Sequence, residues 1–201
     1  MTITNYGTLK TNVRSWFSDR SDIPALVYDL ATAELNERLR LVIMESTATL
    51  AVSGESTALP ADFLEVRHAY LDKNPRVRMD MADVFSKNTD YKSSGEPRTY
   101  TIVDGFFLLN PVPDGSYSVV LRYIAKLADF TDDTDTNAVL TTHPALYLYA
   151  SLKQAAMWAM DAEAAASYER WLEMAAKGIV RSEQAKRYGS GPLRSRAANA
   201  P

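Results

Sequence analysis

The sequence predicts an α+β fold, mainly α: a helical bundle formed by N- and C-terminal helices, with an inserted antiparallel β module and an extended C-terminal tail. Three observations predict it. Apolar residues recur at helical spacing in the first and last thirds of the chain. The middle third is β-branched, alternating and punctuated by turn residues. Beyond Tyr188 that periodicity gives way to glycine, proline and arginine. The order helices, strands, helices is satisfied most simply if both ends share one bundle. The expected division is residues 1–43 with 127–188 for the bundle, 44–126 for the β module and 189–201 for the arm.

Each element has a local reason. Thr4 or Asn5 can cap a helix beginning near Tyr6, with Leu9, Val13, Trp16 and Phe17 on one face. Gly7 weakens its first turn. Asp19-Arg20-Ser21-Asp22 is a polar break, and Pro24 suits a helix start because its missing N–H needs no partner there. A second helix is expected over about residues 23–41, with Leu26, Leu30, Ala33 and Leu41 repeating. Glu34–Arg38 and Glu37–Arg40 pairs fall across one turn.

The period then changes. Met44, Thr47, Thr49, Leu50 and Val52 lead to the turn Ser53-Gly54-Glu55. A short strand and a tight turn fit Ala58 to Phe63, and a strand fits Glu65 to Leu71. Asn74-Pro75 marks a turn before a Val77–Met79 strand. Met81, Val84 and Phe85 suggest a brief helix, and Ser86 to Pro97 a polar loop. Asp104-Gly105 joins Thr99–Val103 to Phe106–Leu109 as a hairpin. Pro113-Asp114-Gly115 turns the chain into Tyr117–Ile124. After an acidic loop, Thr142-His143-Pro144 opens a helix carrying Leu146, Tyr149, Leu152 and Ala156. Asp161 marks a corner. A longer helix follows with Ala165, Tyr168, Trp171, Leu172, Ala175 and Ile179, and Gly178 offers it a bend.

Composition narrows the function. The 201 residues suffice for one sizeable core or two small modules. A net charge of -3 argues against a dedicated nucleic-acid binder. The absence of cysteine removes disulfides, thiolate metal sites and cysteine nucleophiles. Apolar runs are too short to cross a bilayer, and the first residues lack the pattern of a signal peptide, so the chain is expected to stay in the cytoplasm where it is made.

Reactive groups are sparse. His68 alternates within a strand and reads as a sheet residue. His143 precedes Pro144 and reads as a helix cap. Asp129, Asp132, Asp133 and Asp135 lack the glycine and terminal glutamate of a calcium loop and read as a solvated turn. No phosphate-cradling or nucleophile-elbow motif occurs. A hydrolase would need Glu34, Glu37, Asp62 and Glu65 to converge. No catalytic residue, cofactor or metal is therefore expected. The charge asymmetry is C-terminal: Lys177, Arg181, Lys186, Arg187, Arg194 and Arg196 outweigh Glu183. The helix dipole accounts for Lys186 and Arg187. Arg194 and Arg196 lie beyond the glycines and suit an arm for an acidic partner or for nucleic acid.

Six stretches in order carry a resemblance. They are Tyr6-Gly7-Thr8-Leu9-Lys10, Leu59-Pro60-Ala61-Asp62-Phe63-Leu64-Glu65 and Glu96-Pro97-Arg98-Thr99-Tyr100-Thr101-Ile102. Then come Leu109 to Tyr117, His143 to Ala150, and Arg187 to Arg194. Together they resemble the head–tail adaptor (connector) proteins of tailed bacteriophages, chiefly the short-tailed, podovirus type. The resemblance implies a structural virion protein at the neck, assembled in host cytoplasm as a ring of twelve copies below the portal. Tail or nozzle proteins would bind the other face, and DNA would pass through without sequence-specific contact. Carried over, the portal-binding arm comprises Tyr188, Gly189, Gly191, Pro192, Leu193, Arg194 and Arg196. The competing reading is a DNA-binding or DNA-packaging accessory module using the basic C-terminus.

Overall fold

The middle of the chain builds far more sheet than the sequence suggests. The structure, a computed structural model, describes residues 2–73, 76–81 and 93–188, with side chains as far as residue 183. The Asn74-Pro75 turn, the brief helix around Val84 and Phe85, part of the 86–97 loop and the arm from Gly189 to Arg196 lie outside the described residues. The described chain forms two compact units, one from residues 1–41 with 129–201 and one from 42–128.

The first unit contains five helices among the described residues: α1 (Tyr6–Trp16), α2 (Leu26–Arg38), α3 (Ala138–Thr142), α4 (Pro144–Trp158) and α5 (Ala162–Tyr188). Asn5 caps α1, its side chain accepting from the Thr8 N–H while the Thr8 hydroxyl accepts from the Asn5 N–H. The helix ends where Ser18 and Asp19 take left-handed backbone conformations. α2 starts later and stops earlier than the expected 23–41, because Leu39 is extended. Arg40 closes the end by donating to the Asn36 and Leu39 carbonyls at 2.7 and 2.6 Å. Met160 is left-handed at the α4–α5 corner, and Asp161 caps α5 through the Ala164 N–H at 2.9 Å. α5 runs through Gly178 as one helix of 27 residues. The core of this unit includes Leu9, Val13, Tyr28, Leu35, Leu140, Leu146, Tyr147 and Leu152.

The inward face of α2 differs from expectation. Val27, Tyr28, Ala31 and Leu35 are buried. Of the expected repeat, Leu26, Leu30 and Ala33 face solvent, while Leu41, beyond the end of the helix, is buried. α2 is apolar on both sides, so periodicity alone selects neither.

The second unit opens with a 3-10 turn at Val42–Met44. It contains β1 (Glu45–Val52), β2 (Ser56–Ala58), β3 (Phe63–Leu71), β4 (Val77–Met81), β5 (Ser94–Gly95), β6 (Thr99–Val103), β7 (Phe106–Asn110), β8 (Val112–Pro113) and β9 (Tyr117–Ala125). Seven of these strands form one sheet in the order β1-β9-β3-β4-β6-β7-β2, and β5 pairs with β8. The edges β1 and β2 approach each other, so the sheet is nearly closed. Its interior holds Val52, Leu71, Met79, Phe107, Leu109, Val119 and Leu121, with Tyr100 stacked on Phe107 at 4.7 Å.

This overturns the mainly helical fold class. The protein is α+β, with 41% of the described residues in helix and 28% in strand, and it has a large mixed sheet in place of an antiparallel module inserted in a bundle. The two parallel pairings are β4–β6 and β5–β8. A long connection between β4 and β6 permits the first, since parallel strands need a crossover. β1 and β9, the ends of the unit, pair along eight residues, a long-range contact that local pattern does not reveal. The Asp104-Gly105 turn is a two-residue hairpin with both φ angles positive, 50° and 79°, which suits the twist of β6 and β7.

Candidate docking surface

The residues examined for chemistry are placed in structural roles. His68 stands exposed on β3 opposite Arg122, beside Tyr70. Register shifts at Phe63/Glu65 and Val66/His68 break the simple alternation expected there. They allow Val66 to pack on the core while Ala69 and Leu71 are also buried. His143 makes no side-chain cap for α4, contrary to expectation. Its backbone does the work: the N–H donates to Val139 at 2.7 Å, and the carbonyl accepts from Leu146 at 3.0 Å.

The acidic loop is tied to α1 instead of standing free in solvent. The carbonyls of Asp135 and Asp133 accept the Tyr6 and Gly7 N–H groups at 2.9 and 2.8 Å, satisfying donors at the helix start. Lys10 pairs with the Asp133 carboxylate. Asp135 Oδ2 accepts from the Asp132 and Thr131 N–H groups, which hold its carboxyl below the usual range. Among the described residues no group of three His, Asp or Glu could hold a metal ion.

The four carboxylates proposed for hydrolysis belong to different units, Glu34 and Glu37 to the helical one and Asp62 and Glu65 to the sheet. Asp62 accepts the Tyr123 hydroxyl at 2.9 Å, and Glu65 meets Arg67 at 3.3 Å. The Leu59–Glu65 stretch that contributed to the resemblance is a clasp. Leu59 donates to Gly105, Phe63 to Pro60, and Lys126 to Asp62 through their backbones.

Glu34 sits in an ion-pair network joining α2, α4 and α5. It meets Lys153 at 2.5 Å, Arg38 at 2.8 Å and Gln154 at 2.8 Å. Glu169 meets the same two cations, at 2.5 Å from Arg38 and 2.8 Å from Lys153. The Arg38 guanidinium, followed by Lys153, lowers the Glu169 carboxyl below its ordinary value. The expected Glu34–Arg38 pair is thus one edge of a larger square, in which neither carboxylate lacks a cation.

The structure reveals one surface that sequence reasoning missed. Trp16 of α1, Ala145 and Tyr149 of α4, and Trp171, Met174 and Ala175 of α5 line an open groove of about 550 Å³. Trp171 packs edge-on against Tyr149, Tyr168 and Trp16, with centroids 5.7, 5.6 and 6.1 Å apart. Trp16 is still 49% exposed and Met174 63%. The sequence carries a signal for it, since Trp16, Tyr149 and Trp171 all fall at helical periodic positions. Their meeting at a surface, and not in the core, depends on how the three helices pack.

The helical unit thus combines a buried core and closed ion pairs with an apolar groove left open to solvent. The SU10 adaptor protein family matches residues 4–196, and the chain belongs to that family. SU10 adaptors are structural phage proteins, not a known enzyme family, and membership implies association with other virion proteins at the head–tail interface. No curated protein matches the chain. The match bears out the resemblance to phage head–tail adaptors, without extending to the short-tailed type. No helix among the described residues is long and apolar enough to cross a membrane.

Proposed function

We propose that the chain joins the capsid vertex to the tail of a short-tailed phage as one of twelve copies in a ring below the portal. In this reading Tyr188, Gly189, Gly191, Pro192, Leu193, Arg194 and Arg196 form an arm that docks on portal subunits. Tail or nozzle proteins bind the opposite side, and DNA passes through the ring.

The observation that carries this reading is the extent of the family match, which reaches residue 196 and so takes in the arm. α5 supports it, because its described span of 27 residues, about 40 Å long, leads up to the arm. Arg194 and Arg196 suit bidentate pairing with portal carboxylates, and a ring multiplies weak single contacts. Removing residues 189–201 is expected to abolish co-sedimentation with portal and to leave the thermal transition nearly unchanged. Portal binding that survives the truncation refutes the arm. Salt-sensitive duplex binding that disappears with the same truncation supports the DNA reading instead.

A further inference from the structure

The helical unit carries two unpartnered apolar surfaces of opposite character. One is the concave aromatic groove between α1, α4 and α5. The other is a ridge on α2, where Leu26 is 59% and Leu30 46% exposed at i and i+4, with Ala33 one turn further. The side of α2 that carries Leu26, Leu30 and Ala33 lacks a cover among the described residues, although an apolar stripe on a helix is ordinarily packed against another element.

The flanking charges are also opposite. Asp29 and Glu37 lie exposed beside the α2 ridge, and neither carboxylate has an ion-pair partner among the described residues. Arg170 and Arg181 lie exposed along α5 beside Trp171 and Met174. Arg170 donates only to the Ala166 carbonyl and the Ser167 hydroxyl, and neither arginine meets a carboxylate among the described residues. By contrast Arg20, Arg38, Lys153 and Lys177 of the same unit are all paired. Asp29 and Glu37 stand about 12 Å apart along their helix and the two arginines about 16 Å along theirs, a mismatch that arginine side chains can span.

We infer that the occupant of the groove is the α2 ridge of a second copy of this chain, packed head to tail. Leu26 and Leu30 insert between Trp16, Tyr149, Trp171 and Met174 as ridges enter grooves. The acids of one copy then face the arginines of the next. Each copy presents both surfaces, so the contact is heterologous and propagates from copy to copy, closing into a ring when the rotation permits. A two-fold dimer that set either patch against its own copy would instead bring like charges together. The inference names the surfaces by which copies meet in the ring proposed above, and rests on that reading for the ring itself.

The cysteine-free sequence makes the test direct. Full-length Leu30→Cys and Met174→Cys proteins are mixed at about 1 mM, where even weak association is populated, and oxidised. Both positions are solvent-exposed, so the variants keep the fold. The expected result is a Leu30→Cys/Met174→Cys heterodimer at least five times more abundant than either homodimer. The double variant Leu30→Cys with Met174→Cys should give a ladder of higher species. Asp29→Arg with Glu37→Arg should suppress the heterodimer several-fold. Arg170→Glu with Arg181→Glu in the other partner should restore it, which a general loss of stability cannot mimic. Homodimers in equal yield, no cross-link, or no rescue by the charge exchange each overturn the inference. A portal co-sedimentation assay run alongside separates the two claims. Lost portal binding with an intact heterodimer refutes the adaptor reading alone, and the reverse refutes only this interface.

Discussion

Both units bury a core of apolar side chains, and they differ in how they meet solvent. In the sheet unit both edges approach each other, and Phe107, Leu109, Val119 and Leu121 are inaccessible. Among its described residues the large exposed apolar side chains are Val42, Met81, Val103 and Phe106. Among its described residues the helical unit exposes nine: Trp16, Leu26, Leu30, Met157, Trp158, Met160, Trp171, Met174 and Val180. Monomeric proteins seldom leave such stretches uncovered. The difference teaches that the sheet completes its own packing, whereas the helical unit leaves apolar side chains uncovered among the described residues.

The largest expected effect lies in the sheet. Phe107→Ala removes a fully buried ring stacked on Tyr100 and should cost about 3–5 kcal/mol. Amide exchange in β6 and β7 should accelerate on the order of a hundredfold or more. Trp171→Ala on the open groove should cost far less in urea unfolding, because the ring is partly exposed. Equal losses would erase the distinction between the units.

Glu34→Gln comes next. It leaves Lys153, whose side chain is 15% exposed, with Glu169 as its remaining acid, so about 1–3 kcal/mol should be lost. All three tryptophans, Trp16, Trp158 and Trp171, lie in the helical unit, so fluorescence reports this loss without contribution from the sheet. Acid should act on the same network. The fold holds the Glu169 carboxyl below its ordinary value, so the ionised form stabilises the native state. That contribution is complete above the ordinary glutamate range and fades as pH falls through it to the lowered native value. Glu169 is 28% exposed, so solvent screening keeps the effect below about 1 kcal/mol. Glu169→Gln should flatten that part of the fluorescence-monitored acid titration.

The elements were legible in the sequence wherever the signal was local. Asn5, the Asp104-Gly105 turn and Asp161 act through neighbours a few residues away, and each does so in the structure. The mixed sheet was not legible, because β1 meets β9 and β4 meets β6 only through distant chain segments. Helix periodicity located α2 but chose its outer stripe as the core. Leu26, Leu30 and Ala33 satisfy a helical repeat as well as Val27, Ala31 and Leu35 do, and only tertiary packing decides between them. The groove escaped for a related reason: an aromatic at helical spacing is assumed to be internal until three helices are placed together.

The smallest predicted effects test the same contrast, within one unit, between surface already engaged and surface still open. Gly7 and Gly178 both occupy helices, where replacing glycine by alanine ordinarily gains about 0.5–1 kcal/mol. At Gly178 an added Cβ meets nothing within 4 Å, so Gly178→Ala should stabilise by that amount. At Gly7 the same atom would lie 3.1 Å from both the Cβ and the carbonyl oxygen of Asp133. That oxygen accepts the Gly7 N–H, and the Asp133 carboxylate pairs with Lys10, so the loop cannot withdraw without loosening both. Gly7→Ala should therefore reverse the sign and destabilise by roughly 0.5–1 kcal/mol, the crowding outweighing the propensity. Urea midpoints read by tryptophan fluorescence resolve differences of this size. A gain at both glycines would mean that the acidic loop yields freely, and that its contacts with α1 hold the helix start less firmly than their geometry implies.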